Sequence, residues 1–100
     1  MRKSAMGPRL TIANGQTASG SIDVSGAKSM TIYTPSALTN AVIVQASPDN
    51  SNWYNHQDSG SDITLTLNDS ITITVVSVPY IRLLSAGAEG ATRTFRTSLR

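Results

Sequence analysis

The chain has 100 residues, 39% of them hydrophobic and 14% charged, with no cysteine and a net charge of +2. That length suits one compact domain; the missing cysteines exclude a disulfide scaffold and a thiolate metal site. The charged share lies well below the usual value of about 25%, so the surface must consist largely of Ser, Thr and Asn. No run approaches the roughly 20 apolar residues of a membrane helix. The basic start, Met1 to Pro8, lacks the apolar stretch of a secretory signal, so synthesis in the cytoplasm and no membrane partner are expected.

Residues 1–8 read as a flexible basic arm carrying Arg2 and Lys3, with Gly7-Pro8 as an extended boundary before a domain over 9–100. In that domain, period-2 alternation between turn signals predicts about eight short strands. Arg9-Leu-Thr-Ile-Ala13 points Leu10 and Ile12 inward and ends at the turn dipeptide Asn14-Gly15. Ser21-Ile-Asp-Val24 follows, with Ile22 and Val24 on one face. Ser29 to Thr34 sets Met30 and Ile32 against Thr31 and Tyr33. Ala41 to Ala46 is the most apolar run and is expected at the centre, with Val42, Val44 and Ala46 on one face.

The segment 47–61 is irregular, apart from a short strand near Trp53 and Tyr54. Ile63-Thr-Leu-Thr-Leu67 and Ile71-Thr-Ile-Thr-Val75 alternate cleanly about Asn68-Asp-Ser70 and predict a β-hairpin. Pro79 is tolerated only at a strand start or edge, so a strand is expected over Tyr80 to Leu84. Ser85 to Gly90 reads as a flexible loop, and Thr92 to Thr97 closes the sheet through Phe95. Nothing of helical length shows helical periodicity. The fold class is therefore all-β: a small antiparallel β-sandwich, jelly-roll-like. Few charges guard its edge strands, so self-association is expected.

No residue constellation points to catalysis. His56 is the only histidine and lies among turn formers, where a solvated ring is expected. Asp49, Asn50, Asn52, Asp58 and Asp62 offer the hard oxygens that calcium prefers, but their spacing does not fit an EF-hand, and such residues make turns without any ion. No metal, cofactor or catalytic residue is expected. Trp53 and Tyr54, with Tyr33 beside them, would make a sugar-stacking platform if exposed; the large area of a tryptophan favours a place for Trp53 in the core. The strands expose threonines and the basic residues lie at the chain ends, which argues against a nucleic-acid groove.

The order Asn14-Gly-Gln-Thr17, Ser21-Ile-Asp-Val24, Tyr33-Thr-Pro-Ser-Ala-Leu38, Val42-Ile-Val-Gln-Ala-Ser-Pro-Asp49, Trp53-Tyr54 and Pro79-Tyr-Ile-Arg-Leu83 resembles the small β-sandwich accessory proteins that decorate or cement the heads of tailed bacteriophages. The likeness runs from Leu10 to Leu99. It implies a non-enzymatic virion protein on the capsid surface, with the major capsid protein and further copies of itself as partners. A homotrimer would suit the symmetry of a shell, with a dimer as the other option. Arg2, Lys3 and Arg9 would dock on an acidic capsid surface, and each copy would bridge capsomers. Similar turns occur in carbohydrate-binding sandwiches, so a host-adhesion module using Trp53 and Tyr54, in a head fibre or tail, is the alternative.

Overall fold

The computed structural model describes residues 5–6, 9–58 and 60–100, with the main chain alone for Ala5, Met6 and Asp58. Strands β1 (Ala5–Met6), β2 (Leu10–Ile12), β3 (Ile22–Asp23), β4 (Ser29–Tyr33), β5 (Val42–Ser47) and β6 (Tyr54–Asn55) are followed by β7 (Gln57–Asp58), β8 (Ser61–Asp62), β9 (Ser70–Thr74), β10 (Tyr80–Ser85) and β11 (Arg93–Leu99). There is no helix among the described residues. In the first sheet β1 and β2 share one edge of β11, whose other edge takes β4, and β4 takes β9. The second sheet runs β3-β10-β5-β6, and β7 and β8 form a separate small hairpin.

The pairings are nested. β2 pairs with β11, β3 with β10, β4 with β9, and β5 with β6, all antiparallel. The chain is thus one long hairpin with its apex between β5 and β6. Rolling that hairpin adds the contacts β11–β4 and β10–β5 and splits it into two facing sheets. This is the double Greek-key arrangement of a jelly roll. The segment 63–65 continues the β6 position: Ile43 bridges Thr64, Val44 N–H donates to Ile63 C=O, and Leu65 N–H donates to Val42 C=O.

The alternation seen in the sequence builds the core directly. Leu10, Ile12, Met30, Ile32, Ile73 and Phe95 point inward from the first sheet. Ile22, Val42, Val44, Ile81 and Leu83 meet them from the second, joined by Ile63 and Leu65. Phe95 is the only aromatic in this cluster. At the first turn, Gln16 N–H donates to Ala13 C=O and Gly15 takes φ +81°, a conformation that costs glycine little.

Three expectations are corrected. The runs 63–67 and 71–75 do not pair with each other. The first joins the β5 edge of the second sheet, while β9 pairs with β4 in the first. The link 66–69 is an arch between layers, held by Asn68 N–H donating to Pro35 C=O and Thr34 N–H donating to Asp69 C=O. Alternation fixes which face is buried and says nothing of which strand lies alongside. Trp53 is half-buried outside the core, because aliphatic side chains and Phe95 already fill the space between the sheets. Ala5 and Met6, assigned by sequence to the arm, pair with Leu99 and Ser98 of β11; the rest of residues 1–8 lies outside the described residues.

Phe95 is fully buried at the middle of the closing strand. Phe95→Ala is expected to lower the unfolding free energy by about 3–5 kcal/mol, measured by urea denaturation. A change of only about 0.5 kcal/mol, the surface range, would contradict this placement.

Candidate functional site

The outer faces of the two sheets differ in chemistry. On the first, alternation brings Thr11, Thr31, Thr72, Thr94 and Ser98 to one surface with Tyr33 and Arg96. Arg96 pairs across strands with Tyr33, which is 46% exposed. Its hydroxyl lies 3.4 Å from Ser98 Oγ, and the Thr31 and Thr72 hydroxyls are 2.8 Å apart. No strand residue of this face carries a carboxylate among the described residues. Short, β-branched side chains hold the surface flat and lose little rotamer freedom on contact.

The second outer face carries a connected polar row. Arg82 on β10, Gln45 on β5 and Asn55 on β6 are successive cross-strand neighbours. Arg82 Nε donates to Gln45 Oε1 at 2.8 Å, Gln45 Nε2 to Asn55 Oδ1 at 3.0 Å, and Asn55 Nδ2 to Asp62 Oδ2 at 3.1 Å. Gln57 Nε2 donates to the other Asp62 oxygen. The Arg82 guanidinium stacks 4.5 Å above the Trp53 ring centre, a cation–π contact, and burial lowers the Arg82 pKa. One ring face of Trp53 is therefore occupied. Tyr54 is 63% exposed, but Tyr33 lies on the opposite sheet, so the three aromatics do not form a single platform.

The Asp/Asn loop closes on itself. Asp49 Oδ1 accepts from Ser51 N–H, Asn52 N–H and the Ser47 hydroxyl, and Oδ2 accepts from Asn52 Nδ2. Those donors, Asn52 N–H first, hold the Asp49 carboxyl well below its usual range. Asn50 takes φ 63°, which asparagine tolerates in a turn. Asp62 spends both oxygens on Asn55 and Gln57, and the Asp58 side chain lies outside the described residues. The loop is thus the turn at the apex of the rolled hairpin.

His56 is half-buried rather than solvated. Its Nε2 lies 2.8 Å from Thr74 C=O; a carbonyl only accepts, so Nε2 carries the proton. The ring ties the second-sheet edge to β9. Of the basic docking residues expected from sequence, Arg9 is exposed just before β2, while Arg2 and Lys3 lie outside the described residues.

Sequence reasoning missed Glu89. The segment read as a flexible loop carries this side chain 1% exposed. Its oxygens accept from Thr39 N–H at 2.8 Å, Asn40 N–H at 3.0 Å, the Ser85 hydroxyl at 2.7 Å and Arg93 Nε at 3.1 Å. Its main chain exchanges bonds with Gly15 N–H and Gln16 C=O. The signal available in the sequence was an acid four residues before an arginine amid small residues. Burial alone would push the Glu89 carboxyl up; the donors from Thr39, Ser85, Arg93 and Asn40 outweigh it and bring it from 4.5 down to about 2.

No protein-family model matches the chain, and no curated protein does. Among solved structures, a Bacillus endospore appendage described as one of a family of disulfide-linked pili is similar over 98% of this chain and 88% of that chain, at 18% identity and a TM-score of 0.48.

The depressed carboxyl of Glu89 sets a pH window. Its stabilisation is complete above the ordinary value of 4.5 and is lost as pH falls toward about 2. Glu89→Gln is expected to be less stable at neutral pH and to lose part of the wild-type slope of stability against pH in that window. Matching slopes in acid titrations of thermal midpoint would contradict the assignment.

Proposed function

We propose that this chain is a non-enzymatic structural protein that binds a larger assembly through the outer face of its first sheet, and that within this class it is a capsid decoration or cement protein of a tailed bacteriophage. The observation carrying the reading is that face: a flat hydroxyl surface with an exposed tyrosine beside an arginine and, among the described residues, no strand carboxylate. Tyr and Arg are the residues that most often anchor interfaces. A capsid protein with an acidic patch is the complementary partner, and each bound copy would bridge neighbouring capsomers. With Arg2, Lys3 and Arg9 as further docking residues, binding is expected to weaken with salt. The phage assignment itself rests on the sequence resemblance.

The adhesion reading retains one observation, the exposure of Tyr54 next to Trp53. Arg82 covers one face of that tryptophan, which leaves less stacking surface than a sugar platform would have.

Co-sedimentation with shells lacking this protein tests the proposal. The wild type is expected to pellet with them, and Tyr33→Ala combined with Arg96→Glu to lose at least about tenfold in affinity without a change in thermal midpoint. Equal binding by the double variant would sink this face as the contact. Failure of the wild type to bind, together with glycan capture that Tyr54→Ala abolishes, would favour the adhesion module.

A further inference from the structure

The outer edge of β9 is self-complementary, and no residue of the strand itself is charged. β9 is the outermost strand of the first sheet. Thr34 N–H donates to Asp69 C=O and Val75 N–H to Lys28 C=O, so odd-numbered residues of this strand turn their main chain toward β4. The alternation of an antiparallel ladder then aims the main-chain groups of Ser70, Thr72 and Thr74 away from the sheet. Two of these are already satisfied: Ser70 N–H by Asp69 Oδ1 at 2.8 Å, and Thr74 C=O by His56 Nε2 at 2.8 Å. Alongside runs a groove of about 380 Å³ lined by His56, Ile63, Ile71, Ile73 and Val76. Val76 is 57% exposed at its end.

We propose that β9 pairs antiparallel with β9 of a second copy about a two-fold axis at Thr72, fusing the first sheets of two molecules. Ser70-Ile-Thr-Ile-Thr74 reads almost identically in both directions. In this register Thr72 exchanges both main-chain bonds with Thr72 of the second copy, and each Thr74 N–H donates to Ser70 C=O opposite. The remaining two groups of the register, Ser70 N–H and Thr74 C=O, are the ones already capped within each chain, so neither is left unpaired. Ile71 of one copy lies against Ile73 of the other on the groove side, and aliphatic cross-strand pairs of this kind stabilise a sheet. No charge within the strand opposes the pairing. An isologous contact is closed, so it ends at a dimer.

This goes beyond the shell-binding reading and is tested without any shell, so each can fail alone. Sedimentation velocity of the full chain should give twice the chain mass of 10.6 kDa. Residues opposite one another in a hydrogen-bonded pair have Cα atoms about 5.5 Å apart, within disulfide reach. With no native cysteine to compete, Thr72→Cys should form a covalent dimer under mild oxidation, and Thr11→Cys on the opposite edge strand should not. Thr72→Lys, which sets two ammonium groups together at the axis, should sediment as a folded monomer. A monomeric or trimeric wild type, equal cross-linking at positions 72 and 11, or a dimeric Thr72→Lys would each overturn the proposal.

Discussion

A carboxylate removed from water holds one end of the roll together. Glu89 receives the amides of Thr39 and Asn40 from the β4–β5 connection, the Ser85 hydroxyl from the end of β10 and the guanidinium of Arg93 at the start of β11. Its own main chain engages the turn after β2. Three crossings between the sheets therefore meet at one residue. A buried ion is tolerable only when its lone pairs are filled, and here several donors fill them, with no buried side-chain polar atom left unpartnered among the described residues. Those loops place β2 and β4 on either side of β11, and through them the flat face that carries Tyr33 and Arg96.

Much of the layout was legible because small β-domains expose one face of each strand. Leu10 and Ile12, Met30 and Ile32, Val42 and Val44, and Ile81 and Leu83 all stand where their alternation puts them. What alternation cannot encode is adjacency, and the segment with the strongest pattern misled for that reason. Ile63 and Leu65 face the core from one layer while Ile73 and Val75 face it from the other, and a turn-forming Asn68-Asp-Ser70 serves an arch as readily as a hairpin. Trp53 misled for another reason. The area argument assumes room between the sheets, and the aliphatic core leaves none, so the ring lies outside under Arg82.

The site was less legible than the fold. Arg82, Gln45 and Asn55 come from three strands, and only the register makes a row of them. Tyr33 and Arg96 meet across β4 and β11, far apart in sequence. The Asp/Asn loop was legible, since its residues act locally: Asp49 gathers donors within a few positions of itself. Glu89 was hidden because its partners are contributed by loops that sequence alone leaves unplaced.

The nested pairing also governs how the molecule comes into being. A rolled hairpin has its shortest connection at the apex, around Asp49, and its longest between the first strands, β1 and β2, and β11. Closing the long loops yields no contact until much of the chain is already ordered, so folds dominated by distant pairings reach the native state slowly, on the scale of milliseconds to seconds. During synthesis β2 must wait for β11, the last of the described strands to leave the ribosome. Until then its Leu10 and Ile12 have no sheet to join, and the nascent chain exposes the strand edges on which aggregation begins.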